Sequence, residues 1–592
     1  MPKKWNLLPP PPSDFINSHP ELPPIIARLL WNRNLYTQEQ IDEFLNPDYS
    51  RDIHDPFIFK DMNKAVEMIF KAISEEKNIV VHGDYDADGV CASAIIISCL
   101  KKLGGQNVNV FIPHREEGYG LNPNTIETLF KQKTDLIITC DCGVSNFEEV
   151  ALVKKKGMKI IVTDHHTVPK KLPKADAIIH PLADENYPDK GLCGSAVAFK
   201  LVQALLKKHS ENHDTLSDGQ NHESFEKWML DLVAIATIGD MVPLLGESRT
   251  LTRYGLTVLN KTRNIGLKKL LIVAGIADEN GQPKRGAYDA YSVGFQIVPR
   301  LNAAGRMDHA NSAFALLMAK DEKEAETLAL QLNKNNIDRQ KLTDQYVNEA
   351  REQIKKTDQQ KNSAIFVVGK DWPAGILGLI SGKIKDEFYK PAIVMSEING
   401  EINGSGRSIK EFNLIAALQS MPELFEKFGG HPQACGLTLK DKDKLEEFKT
   451  RLTEKVSLQT AAIELIPQIN VDAETDLDDV NWKLYDLLQK FEPFGQANEE
   501  PVYMAGALTI VGIEPVGQDG KHLKLMVKHN SHVTRKTIGF GLGDANRYTE
   551  NWKENLKSGD KIDMVFTVGV NEWNGNRELQ LTIEDIKKTV PN

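Results

Sequence analysis

Three short runs of this 592-residue chain leave little freedom in how it folds. Residues 78–81 (Asn-Ile-Val-Val), 135–140 (Asp-Leu-Ile-Ile-Thr-Cys) and 158–163 (Met-Lys-Ile-Ile-Val-Thr) are β-branched and almost uncharged, as strands buried on both faces must be. Polar residues follow each run, then a helical stretch: 91–103 closed by Gly104-Gly105, and 145–156 closed by Gly157. Basic residues lie in both last turns, where they complement the helix dipole. The βαβ rhythm predicts an α/β fold around a parallel sheet.

Side chains just past the carboxyl ends of parallel strands gather along one edge, and ligands bind there. Two such segments are crowded with titratable groups: His82-Gly-Asp84-Tyr-Asp86-Ala-Asp88-Gly89, and Thr163-Asp164-His165-His166. Asp86, Asp88, Asp141 and His165 are therefore expected to meet. Asp240, after the apolar stretch 228–238, is a natural further ligand, and His82 can reach the same edge. Two imidazoles and four carboxylates are too many for one divalent ion with open positions, whereas two ions sharing a bridging carboxylate fit. Taken singly, each Asp-Gly or Gly-Asp pair is most often a turn, and a His-His pair is most often a loop. Asp84-x-Asp-x-Asp-Gly89 also begins like a calcium-binding EF-hand loop, but Ile95 stands where the twelfth-position glutamate is needed. Cys140-Asp-Cys142 lacks a second pair to complete a zinc set.

These segments, together with Asp141-Cys-Gly143 and Gly239-Asp240, resemble the four signature motifs of the DHH phosphoesterase superfamily. Within it the chain is similar to the RecJ family of bacterial exonucleases, through Pro299-Arg-Leu-Asn-Ala-Ala-Gly-Arg-Met-Asp308, Gly404-Ser-Gly-Arg-Ser408, Gly429-Gly-His-Pro-Gln-Ala-Cys-Gly436 and Phe491-Glu-Pro-Phe-Gly495. The resemblance implies a metal-dependent 5′-to-3′ exonuclease that releases 5′-mononucleotides from single-stranded DNA in repair and recombination. It also implies the roles of the residues. Asp141 would bridge two ions, His82 and Asp86 would hold one, and Asp88, His165 and Asp240 the other. Asp84 and Asp164 would orient ligands, and His166 would donate to the scissile phosphate. Arg115, Arg300, Asn302, Arg306, Ser405, Arg407, Ser408 and His431 would contact substrate, Arg300 being favoured as a phosphate clamp over Arg306. Mixed imidazole and carboxylate donors suit Mn²⁺, with Mg²⁺ able to substitute. Implied partners are single-strand-binding protein and a helicase, and the chain is expected to be a monomer. Two rivals were weighed. A DHH enzyme acting on a small substrate would not need the chain beyond residue 467, and a non-catalytic strand binder would not need an intact acidic cluster.

A composition of 41% hydrophobic and 26% charged residues marks a globular chain of several domains. No apolar run approaches the roughly 18 residues of a membrane span, and the opening Met-Pro-Lys-Lys-Trp lacks a signal peptide's apolar core, so the expected location is the cytoplasm. Six cysteines, at 91, 99, 140, 142, 193 and 435, are expected to be reduced thiols. The net charge of −10 argues against a general nucleic-acid coat protein. Residues 514–547 are locally basic nonetheless, with Lys521, Lys524, Lys528, Arg535, Lys536 and Arg547 against Glu514, Asp519 and Asp544. A solvated strand face would show the same pattern.

The expected organisation is an N-terminal extension (1–45, with Pro9 to Pro12) packing on the main domain, and a DHH catalytic domain (46–320). A connecting helix (321–357), a DHH-associated α/β domain (358–457) and an OB-fold barrel (467–592) follow, the last with Gly-rich turns at 516–520 and Asn574-Gly575.

Overall fold

In the computed structural model, residues 3–529, 533–544, 550–573 and 576–589 are described. Arg547 and the Asn574-Gly575 turn lie outside them. The chain divides into two compact units, 49–464 and the combination of 1–48 with 465–592.

The first unit is built on five parallel strands: β1 (Ile79–His82), β2 (Val108–Phe111), β3 (Leu136–Cys140), β4 (Lys159–Thr163) and β5 (Ala177–Ile179), in the order β2-β1-β3-β4-β5. Alternation along the strands explains why they are apolar throughout. Ile79, Val81, Ile138 and Ile161 enter one buried cluster, while Val80, Ile137, Ile160 and Val162 enter another on the opposite face. Strand order reverses between β1 and β3, so a crevice opens at their carboxyl ends.

Helices α1 (Ala87–Lys102), α2 (Phe147–Lys155), α3 (Gly194–Ser210), α4 (Leu230–Gly239) and α5 (Val298–Met307) follow in the chain. A single 35-residue helix, α6 (Glu322–Lys356), then leads to the second sheet. Asp321 caps it through the amides of Lys323 and Glu324, and Lys355 and Lys356 sit in its last turn.

The second sheet comprises β6 (Ile365–Lys370), β7 (Ala392–Ile398), β8 (Glu401–Arg407), β9 (Phe425–His431) and β10 (Ala434–Leu439), ordered β9-β10-β8-β7-β6, with helix α7 (Ala374–Phe388) against β7 and β8. Only β6 and β7 run parallel. Gly404-Ser-Gly-Arg-Ser408 has the glycine content of an anion-binding loop but does not form one. The segment runs along a central strand, paired to β7 on one side and β10 on the other, so its amides belong to the sheet. Its glycines serve packing: a Cβ on Gly404 would press on Met395, and one on Gly406 on Leu414 and Cys435.

In the second unit, β11 (Tyr503–Val516), β12 (His522–Lys528), β13 (Thr534–Gly539), β14 (Lys561–Trp573) and β15 (Asn576–Lys588) close into a five-stranded barrel through the β11–β14 pairing. Leu523, Leu525 and Val527 fill it while Lys524, Met526 and Lys528 face solvent, so this part of the basic segment is a solvated strand face. The N-terminal segment belongs to the same compact unit as the barrel. Lys4–Leu7 pairs in parallel with Gln468–Val471, Arg33 donates to Asn498 Oδ1 and Glu499 O, and Phe44 packs edge-on against Phe491. Among the described residues, no helix is long and apolar enough to cross a membrane.

Candidate metal centre

The β1 strand ends on His82, and the turn after it brings three carboxylates, Asp84, Asp86 and Asp88, to the same edge of the sheet. Asp86 caps α1, its Oδ1 accepting from the amides of Asp88 (2.9 Å) and Gly89 (3.2 Å). Gly89 is needed because a Cβ there would lie 2.5 Å from the Asp84 amide nitrogen. Asp88 reaches across to α3, whose first amides it satisfies: Gly194 N–H donates to Oδ2 (2.7 Å) and Ser195 N–H to Oδ1 (2.6 Å). A carboxylate at a helix N-terminus is favoured by the dipole.

Asp141 follows β3 in a left-handed conformation (φ 62°), which Asp tolerates better than most residues. Its amide donates to Thr163 O on β4 and its carbonyl accepts from the Tyr119 hydroxyl, so the turn is fixed from both sides. Asp141 Oδ1 lies 3.0 Å from His165 Nε2, which is also 3.5 Å from Asp240 Oδ2 and 3.8 Å from Asp88 Oδ2. Asp240 arrives from the carboxyl end of α4. Asp164 points away from this point and organises it. Its Oδ1 accepts from the His165 and His166 amides and from His166 Nδ1, and its Oδ2 from the Val144 amide.

The donor atoms form three overlapping groups, each within 4.8 Å: Asp84, Asp86 and Asp141; Asp88, His165 and Asp240; Asp141, His165 and His166. Asp141 and His165 each belong to two of them, and of the two only Asp141, a carboxylate with two oxygens, can bridge two ions. His82 lies outside the three, while Asp84, expected only to orient, stands among the donors.

The fit to divalent cations rests on atoms the protein leaves unsatisfied. His82 Nε2, Asp84 Oδ1, Asp141 Oδ1 and His165 Nε2 are all buried without a hydrogen-bond partner, an arrangement that is costly unless something else is bound. Electrostatics agree. Burial, then repulsion from Asp88 and Asp86, pushes Asp240 up to about 8. Burial and neighbouring carboxylates likewise raise Asp84, Asp86 and Asp141. Burial lowers His82 and His165 to about 4, leaving neutral imidazoles suited to ligate. In the Asp164–His166 pair burial opposes both shifts, but their hydrogen bond and mutual charge outweigh it, holding Asp164 at about 2 and His166 at about 9.

Cationic groups face this cluster. Arg115 lies over the Tyr85 ring (4.3 Å), Arg306 Nη1 donates to Gly375 O (2.8 Å) at the start of α7, and Arg407 Nη1 donates to Ser405 Oγ (3.0 Å). Burial first, then Arg115 and Arg339, lowers Arg306 to about 9, with Asp86 as an opposing acid. Arg300, the favoured clamp, is instead tied to Asn333 and Gln296 O, so Arg306 stands nearer the acidic cluster. Asn302 Oδ1 accepts from the Ala87 amide and steadies the first turn of α1. Ser408 is buried and donates to Phe412 O, while His431 is exposed at the β9–β10 hairpin.

Four further residues, given no role in the sequence reading, shape the site. Gly194 and Ser195 supply the amides for Asp88, and a Cβ on Gly194 would sit 2.5 Å from Asp141 Cβ. Tyr119 Oη lies 2.8 Å from His166 Nδ1. Gly305 permits contact with Tyr85 O, 2.5 Å from its would-be Cβ. Glycine at a helix start was the available signal.

Comparison with known proteins gives the family. Family models match residues 78–237 (DHH family, N-terminal domain), 360–458 (DHHA1 domain) and 471–585 (RecJ OB domain). The single-stranded-DNA-specific exonuclease RecJ of Bacillus subtilis is 34% identical over 97% of this chain and 70% of its own length. The crystal structure of RecJ from Thermus thermophilus with Mn²⁺ is similar at a TM-score of 0.80 and 26% identity, covering 99% of this chain and 80% of that one. The same protein with Mg²⁺ gives a TM-score of 0.74 at 25% identity, covering 99% and 79%.

Proposed function

From its membership of the RecJ family, to which this chain belongs, we propose that it is a metal-dependent 5′-to-3′ exonuclease hydrolysing phosphodiester bonds of single-stranded DNA. The observation that carries this is the cluster of unsatisfied donors at the β1–β3 crevice, faced by arginines rather than by an apolar pocket.

Asp141, shared between two donor groups, is the bridging ligand in this reading. Asp84 and Asp86 complete one site, with His82 beside them, while Asp88, His165 and Asp240 form the other. Two divalent cations held there would supply Lewis acidity and a water of lowered pKa. Mn²⁺ is preferred for the mixed imidazole and carboxylate donors, and Mg²⁺ substitutes; the relative solved with each ion supports a divalent cation at this site. His166, kept cationic at neutral pH by Asp164, donates to the scissile phosphate. Arg115, Arg306, Ser405 and Arg407 bind a terminal 5′-phosphate, and the barrel grips the strand beyond it. The RecJ OB domain match weighs against a small-substrate phosphatase, which would have no use for a barrel. The protein acts as a monomer, with single-strand-binding protein and a helicase delivering its substrate.

Digestion of end-labelled DNA and RNA with Mn²⁺ tests this. A 5′ label on single-stranded DNA should appear first as mononucleotide, and duplex DNA should resist. Release of the 3′ end first, or equal attack on duplex, would overturn it.

A further inference from the structure

None of the roles above uses Arg339. It stands on α6, where its Nη2 donates to Asn336 Oδ1 (2.9 Å) while its Nε is buried without a hydrogen-bond partner. One turn earlier, Asn333 Oδ1 accepts from Arg300 Nε (3.0 Å), the guanidinium that α5 brings to the same contact between helices. Two guanidiniums are thus steadied by neutral asparagine oxygens instead of carboxylates.

The acid that Arg339 feels, Asp344, is exposed and already paired with Lys383 at 2.6 Å. The charges of Arg339, Arg115 and Arg407 all disfavour that of Arg306, and Arg339 that of Arg300. A half-buried guanidinium without an anionic partner is costly, and a ligand that brings the anion offsets the cost. The helix that carries Arg339 packs directly against α5, which carries both Arg300 and Arg306, so the three guanidiniums belong to one helix pair.

We infer that Arg339, with Arg300 alongside it, binds an internal backbone phosphate of the DNA strand beyond the scissile linkage, which makes the connecting helix α6 part of the strand-binding surface. The inference rests on the reading of the chain as a single-strand nuclease. It assigns α6 a second task besides joining the two sheets. Guanidinium is the suitable group because its planar fork takes two phosphate oxygens at once.

The test is a scan of a 5′-phosphorylated single-stranded 12-mer in which one linkage at a time is made a neutral methylphosphonate. In the unaltered protein with Mn²⁺, KM should rise roughly tenfold at one internal linkage, the loss expected for one charge-assisted bond. Arg339→Gln should raise KM on the fully charged strand by a similar factor, change kcat less, and become indifferent to neutralisation at that linkage alone. Its binding should also depend less steeply on salt, by about 0.7 in the logarithmic slope for a single strand. Arg339→Met, apolar and a good helix former, repeats the test without a buried amide, and a retained Mn²⁺-dependent thermal shift shows that the fold is intact. An Arg339→Gln or Arg339→Met protein with the unaltered KM and the same methylphosphonate profile would overturn the inference. If the unaltered protein cleaves no single-stranded DNA at all, the functional reading itself fails.

Discussion

Asp141 sits in strong electrostatic conflict, since burial, Asp88, Asp86, Asp240 and Asp84 all disfavour its charge. Asp141→Asn should therefore abolish cleavage yet raise the melting temperature of the metal-free protein, because one like charge leaves the cluster. Melting in chelator and in Mn²⁺ checks this: the variant should start higher and gain less from the ion. A lower starting point would count against a repulsive cluster. The pH dependence has a definite sign. Asp240 is raised from 3.8 to about 8, so between those values the unfolded chain is ionised while the folded one holds its proton, and stability falls as pH rises. His166 is raised from 6.5 to about 9, so its contribution is complete below 6.5 and lost through 9. Both act in one direction above neutrality. Metal-free protein should melt lower at pH 9 than at pH 5.5, and Asp240→Asn or His166→Gln should flatten the profile. Asp164, lowered to about 2, contributes above 3.8 and loses that only in strong acid.

At the scale of elements, the site depends on where helices begin. The first amides of α3 hold Asp88, and the absence of a side chain at Gly194 lets Asp141 approach. Gly194→Ala should push these apart and weaken Mn²⁺ binding by about 10–100-fold, the usual cost of disturbing groups that orient ligands. Titration calorimetry measures the affinity, and circular dichroism should show the helices unchanged. Full retention of affinity would mean that α3 does not position Asp88. The glycine-rich strand belongs to the same scale. Gly404-Ser-Gly-Arg407 has the composition of an anion-binding loop, but which glycines are loop and which are close packing depends on the neighbours β7 and β10.

For the whole molecule, the division after residue 48 and at 465 predicts separable behaviour. A fragment of residues 49–464 should fold, show Mn²⁺-dependent melting and hydrolyse dinucleotides, while losing affinity for long strands. The barrel fragment 465–592 should resist denaturant less well without residues 1–48, since Lys4–Leu7 completes a strand pair and Arg33 caps Asn498 and Glu499. Urea unfolding with and without the N-terminal segment measures the difference. Equal midpoints would contradict the shared unit.

What the sequence by itself determined is everything that period and adjacency control. Buried strands read as unbroken apolar runs, helices carry their caps and last-turn charges, and parallel strands deliver their next residues to one edge, so His82, Asp86, Asp88, Asp141 and His165 could be expected near one another. The long helix α6 was legible for the same reason, because 35 residues without glycine or proline have few other options. Tertiary structure alone decided what depends on contact between distant segments. It placed Asp84 among the donors and His82 just outside the groups, drew Arg306 rather than Arg300 toward the acids, and joined residues 1–48 to the barrel. Those outcomes turn on distances of a few ångströms between side chains far apart in the chain, and no local pattern encodes them.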